Sequence, residues 1–159
     1  MLKYVDSFVA LREIPDEITL YINLSLCPNN CKGCHSSYLS EDIGDELTFI
    51  VLEGLIAKNE GISCVCFGGG DNDPNEVWRL ALLMETYYPN IKSAWYSGKQ
   101  NMPDLSPEIF FRGVPFTYIK LGPYIEEKGP LNERTTNQQM WQFDKSTGKA
   151  ENITYKFWK

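Results

Sequence analysis

Four short runs rich in β-branched and aromatic residues decide what this chain can fold into: residues 18–26, 62–67, 91–96 and 116–121. Each reads as a strand. Helix signals fill the intervals. Thr48 stands where it can cap a helix that shows Phe49, Leu52 and Leu55 or Ile56 on one face and ends before Gly61. Asp73, Pro74 and Glu76 form a second helix start, followed by Val77, Leu80, Ala81, Met84, Tyr87 and Tyr88 at helical spacing until Pro89 stops it. Ser106-Pro107-Glu108 opens a third, shorter one. Strand, helix, strand at this cadence predicts parallel βα units. The expected fold class is therefore α/β. Four such strands cannot close an eight-stranded barrel in 159 residues, so a partial, open βα barrel is the economical expectation.

The remaining stretches fit around that frame. Residues 4–11 predict a short strand or hairpin arm, broken at Pro15-Asp16. Residues 36–47 are polar and irregular and read as a loop over the candidate site, and residues 125–138 read as a polar loop. The tail predicts a C-terminal hairpin, with arms at 140–144 and 152–158 around Ser146-Thr147-Gly148-Lys149. One domain over residues 1–159 is expected. Neither a membrane-spanning run nor the apolar core of a signal peptide is found. The net charge of -6 speaks against a nucleic-acid footprint, which needs a clustered basic face. Five cysteines, three of them crowded together, do not make a disulfide framework and predict a reducing cytoplasm.

Those three lie in Cys27-Pro28-Asn29-Asn30-Cys31-Lys32-Gly33-Cys34-His35, spaced C-x3-C-x2-C directly after the first strong strand. A loop of this length can wrap one small inorganic object and offer it three sulfurs. Iron–sulfur clusters are usually held by four thiolates. A cubane held by three keeps one iron free to bind a substrate. Zinc held by the three thiolates and His35 is the alternative; a Cys followed directly by its fourth ligand strains a tetrahedron.

Every polar motif falls at the C-terminal end of a predicted strand, where βα barrels carry their chemistry. The cysteine loop follows the first, Gly68-Gly69-Gly70-Asp71 the second, Ser97-Gly98 the third and Gly122-Pro123-Tyr124 the fourth.

The cysteine spacing resembles the radical S-adenosylmethionine signature. The local wording Cys-Pro-x-x-Cys-Lys-Gly-Cys-His, with Gly33 before the third cysteine and the ring at His35, resembles the activating proteins of anaerobic (class III) ribonucleoside-triphosphate reductases. Gly69-Gly70-Asp71 is similar to the superfamily's Gly-Gly-Glu motif, Tyr96-Ser97-Gly98 to its Tyr-Thr-Gly, and Gly122-Pro123-Tyr124-Ile125-Glu126-Glu127 with Arg134-Thr135-Thr136-Asn137-Gln138 to a region of the activase family. The resemblance runs from Leu20 to about Gln138; its departures are Asn72-Asp73 ahead of Pro74 and Thr117 in place of an Asp.

What the resemblance implies is specific. Cys27, Cys31 and Cys34 would hold a [4Fe-4S] cluster. Gly33, Cys34, His35, Gly69, Gly70, Asp71, Ser97 and Gly98 would surround S-adenosylmethionine. No catalytic side chain is implied beyond cluster and cofactor. Reduced flavodoxin or a similar donor would supply an electron, and reductive cleavage would yield a 5′-deoxyadenosyl radical. That radical would take hydrogen from a glycine of the reductase large subunit, an oxidoreductase activity like that of the formate C-acetyltransferase activating enzymes. The alternatives are a radical enzyme acting on a small molecule or on another glycyl radical enzyme, and a non-catalytic iron–sulfur or zinc module. Cys64 and Cys66 face the same way if residues 62–67 form a strand, and two packed core cysteines are the expectation.

Overall fold

The computed structural model describes residues 1–110 and 113–158. Among these residues eight strands form one mixed sheet: β1 (Lys3–Ala10), β2 (Thr19–Leu24), β3 (Asp45–Glu46), β4 (Cys64–Gly68), β5 (Lys92–Tyr96), β6 (Tyr118–Leu121), β7 (Gln139–Phe143) and β8 (Ala150–Asn152). Their spatial order is β3-β1-β2-β4-β5-β6-β7-β8, with β3 and β8 as its two edges. The middle four strands, β2, β4, β5 and β6, run parallel. They fall within one or two residues of the four β-branched and aromatic runs. Antiparallel pairs flank them, β3–β1–β2 on one side and β6–β7–β8 on the other.

The parallel strands are joined by crossovers that carry α1 (Phe49–Ala57), α2 (Pro74–Tyr87) and α3 (Pro107–Phe110). The caps lie where the side chains predict them. Thr48 Oγ1 accepts the Val51 N–H at 3.2 Å, and Asp73 Oδ1 accepts the Glu76 N–H at 3.3 Å.

Strand alternation gives the sheet two apolar faces. Leu20, Ile22, Val65, Phe67, Trp95 and Ile119 point one way and meet Leu52 and Ile56 of α1 and Val77, Leu80 and Met84 of α2. Burying side chains of this size contributes roughly 1.5–3 kcal/mol each. Cys64, Cys66, Ala94, Tyr118 and Met140 point the other way, where Ile14, Leu131 and Ile153 from connecting segments cover them, with Tyr21 and Tyr96 at the margin. The helices therefore sit on one face, and the other face is left for loops.

Two segments differ from the sequence reading. Residues 36–47 are not loop throughout: Ser37–Ser40 forms a 3-10 turn, and Asp45–Glu46 adds a short edge strand to β1. Leu47, almost fully buried, anchors that strand, and its N–H donates to the Leu2 carbonyl. In the tail, the second arm ends at Asn152 and the chain turns into a 3-10 helix over Thr154–Phe157. Asn152 Oδ1 accepts from both the N–H and the hydroxyl of Thr154, which turns the backbone out of the ladder.

Candidate functional site

The parallel strands end together, so the four turns that leave them are neighbours. After β2 comes the cysteine loop. Its stem is tied to the 3-10 turn, the Cys27 N–H donating to Leu39 O and the Leu26 N–H to Glu41 O. Cys27, Cys31 and Cys34 are free and half-buried. All three line one cavity of about 190 Å³, which they share with Asn30, Ser36, Ser37 and Ser40. Gly33 lies against the side chains of Tyr124 and Glu126 from the turn after β6. His35 is exposed, with its ring 6.0 Å from that of Tyr124.

After β4, Gly69 and Gly70 turn the chain toward α2. The Gly69 N–H donates to Tyr96 O, and its carbonyl accepts Trp95 Nε1–H at 2.7 Å. One lone pair of that oxygen remains. Gly70 has no room for a side chain: a Cβ there would stand 2.4 Å from Val77 and 3.1 Å from Leu24, so this glycine serves core packing.

Asp71 is where three of the turns meet. Its Oδ1 accepts the Ser97 hydroxyl at 2.5 Å, and its Oδ2 accepts the Gly98 N–H and the Asn29 amide, each at 2.7 Å. The carboxylate thereby ties the cysteine loop, the β4 turn and the β5 turn together. Asn29 Nδ2 lies in addition 3.5 Å from Cys27 Sγ.

Lys120 of β6 completes the group from below. It is 8% exposed, and its ammonium donates to Ser97 O at 3.1 Å and Gly122 O at 2.9 Å, with the Tyr96 ring 5.9 Å away. Burial draws its pKa down from 10.5 to about 8, while the negative charges of Asp71, Cys31, Cys27 and Cys34 push it back up. A buried cation thus faces the three thiols and the carboxylate.

Beside this group, on the face without helices, lies a cavity of about 740 Å³. Cys34, Tyr96, Lys120, Tyr124 and Gln138 line its inner part, and the exposed His35, Arg12 and Lys156 stand at its rim. The volume is that of a small-molecule or cofactor site.

The structure thus brings Cys27, Cys31, Gly33, Cys34, His35, Gly69, Asp71, Ser97 and Gly98 to one end of the sheet, and sets Gly70 behind them in the core. Sequence reading missed Asn29 and Lys120, and named Tyr124 only as part of the turn after the fourth strand, without a role. Lys120 had a signal, as the one charge in an otherwise apolar strand. Asn29 had none beyond its place inside the cysteine loop. Cys64 and Cys66 line neither cavity and have no exposed surface; they lie in the core beneath the larger one, packed with Leu131 and against Tyr96. Burial raises the Cys64 pKa from 9.0 to about 12 and that of Cys66 well above its ordinary value. Both pack as small apolar residues.

The donor chemistry fits an iron–sulfur group: three free thiols on one cavity wall, with a buried cation facing the charge they would carry. Among the described residues no three His, Cys, Asp or Glu side chains are already drawn together as a metal-gripping set, so the thiols share a wall and do not converge on a point. Among the described residues no helix is long and apolar enough to cross a membrane. Comparison with family models, with curated proteins and with solved structures gives no match to this chain.

Proposed function

We propose that this chain is a radical S-adenosylmethionine activating enzyme that forms a glycyl radical on the large subunit of an anaerobic ribonucleotide reductase, in a reducing cytoplasm. The observation that carries the reading is the meeting of the three-thiol loop with the turns after β4, β5 and β6 through Asp71 and Lys120. The one-sided placement of the helices is what the wall of a partial βα barrel requires, and we read the sheet as such a wall.

Cys27, Cys31 and Cys34 would hold the [4Fe-4S] cluster, and S-adenosylmethionine would occupy the neighbouring cavity. Once bound, the pair would supply the hard chemistry, reductive cleavage of the sulfonium and hydrogen abstraction from a glycine Cα, with reduced flavodoxin or a similar donor giving the electron. The chain's own residues do the holding. Lys120 places a fixed positive charge beside the thiolates. Its two carbonyl acceptors keep the ammonium from swinging into the cavity. Gly69 turns the chain at the strand end, its N–H on Tyr96 O and its carbonyl on Trp95 Nε1–H, which fixes the β4 turn beside the β5 turn. Tyr96 and Tyr124 give the cavity two aromatic walls. The passage from the buried Lys120 to the exposed rim at Arg12 and Lys156 leaves a way in for a partner's segment.

Anaerobic reconstitution tests this. About four iron and four sulfide per chain are expected. Dithionite and S-adenosylmethionine should then yield methionine and 5′-deoxyadenosine, and Cys31→Ala should abolish the yield. Mixing with the reductase should give a glycyl doublet in the EPR spectrum. Zinc in place of iron, or a loaded chain that never cleaves the sulfonium, would leave a metal-binding module. Cleavage with no protein radical would point to a small-molecule substrate.

A further inference from the structure

Asn29 sits two residues past Cys27 and bridges it to Asp71. Its Nδ2 is 2.7 Å from Asp71 Oδ2 and 3.5 Å from Cys27 Sγ. Both neighbours are acceptors, so the nitrogen of the amide and not its oxygen faces them, with one N–H for each. Asp71 is itself held in place by the Ser97 hydroxyl and the Gly98 N–H, so the amide leans on a fixed carboxylate.

The seat exists because residue 98 lacks a side chain. A Cβ there would lie 2.4 Å from Asn29 Nδ2 and 3.0 Å from its Cγ, closer than real Cβ contacts come. Gly98 is not in the left-handed region, so its backbone does not demand glycine; the neighbouring amide does.

We propose that Asn29, seated against Asp71 in the space Gly98 leaves open, is a positioning residue that donates an N–H to the Cys27 sulfur and thereby raises the electron affinity of the iron–sulfur group the loop would hold. The inference rests on the cluster reading above and goes beyond it by naming what tunes the cluster. Its physical basis is general. A hydrogen bond to a ligating sulfur withdraws charge from it and favours the reduced, more negative state. Of the three cysteines, Cys27 alone has a side-chain donor within reach among the described residues.

The test uses the full chain, reconstituted without air, with neither S-adenosylmethionine nor reductase present. Iron and sulfide content, circular dichroism and an EPR-monitored redox titration are recorded for the wild type, Asn29→Ala, Gly98→Ala and the double variant. Asn29→Ala removes the donor and leaves every charge in place. It should shift the one-electron reduction equilibrium about tenfold toward the oxidised cluster, ~59 mV. Gly98→Ala removes no polar group and only displaces the amide, yet should shift it in the same direction. The double variant should go no further than Asn29→Ala alone, because both changes break one contact. Variants that load fully and titrate with the wild type would overturn the inference while leaving the cluster reading intact. Folded variants that take up no iron would overturn it too, by making Asn29 a support of the loop and not a tuner of the cluster. A wild type that takes up no cluster would remove the proposed function, and this inference with it.

Discussion

A methyl group added at Gly70 would lie 2.4 Å from Val77 on α2, and the backbone there has φ +93°. Gly61 shares the positive φ, at +88°, but has open space around it. Gly70→Ala should therefore cost roughly 2–5 kcal/mol, strain and overpacking together, and Gly61→Ala about 1 kcal/mol, strain alone. Urea unfolding of the two variants separates the terms. The sequence shows the tripled glycine but not which glycine serves the core and which faces the site, because that depends on where α2 packs. Lys120 gives a second prediction. Burial lowers its pKa to about 8 from an ordinary 10.5. Between those values the unfolded chain keeps a proton that the folded chain has shed, so this residue's contribution to stability rises with pH across the window. Relative to Lys120→Met, the wild type should gain on the order of 3 kcal/mol from below pH 8 to above pH 10.5. Paired urea titrations at several pH values measure the difference, and a flat difference would mean the ammonium is not buried as described.

At the scale of elements, caps and loops settle matters that residue type alone left open. Asp73 begins α2 as read from Asp73-Pro74-Asn75-Glu76, and Asp73→Ala should cost about 1 kcal/mol, seen as a lower urea midpoint at unchanged slope. The stretch 134–138 stood out in the sequence without a role. In the fold it fastens its own loop: the Thr135 and Thr136 hydroxyls donate to the carbonyls of Lys128 and Gly129, and the Asn137 amide donates to Pro123 O at 3.0 Å. That fastening holds Tyr124 and Gln138 at the cavity. Thr136→Val keeps the shape and removes both bonds of the hydroxyl, the one it donates to Gly129 O and the one it accepts from the Gln138 N–H, so amide hydrogen exchange across residues 123–130 should quicken while β4 and β5 stay protected. The edge strand β3 and the 3-10 turn at Thr154–Phe157 were not legible, since both are short and exist through pairing or capping partners distant in sequence or on the neighbouring turn.

Over the whole molecule, five chemically identical thiols separate into two populations. Cys27, Cys31 and Cys34 are half-buried on the loop, and Cys64 and Cys66 have no exposed surface. In the folded, metal-free chain a thiol reagent should modify three quickly and the other two only at the rate of unfolding. The buried pair also sets an alkaline limit. With the Cys64 pKa at about 12 in the folded chain against an ordinary 9.0, the unfolded chain loses its proton first, so stability should fall as pH rises from 9 toward 12. Cys64→Ala should flatten that fall in urea titrations carried up to pH 11.

Local chemistry was enough to write down the parallel strands, the two capped helices and the three-thiol loop, because periodicity, caps and spacing act over a few neighbours. Which side chains meet was not written there. Asn29, Asp71, Gly98 and Lys120 are spread over 92 residues, and only the packing of parallel strands with helices on one face brings their ends together. Burial then does what sequence cannot specify in advance: it lowers the pKa of a lysine, hides two thiols, and makes one glycine necessary for the side chain beside it.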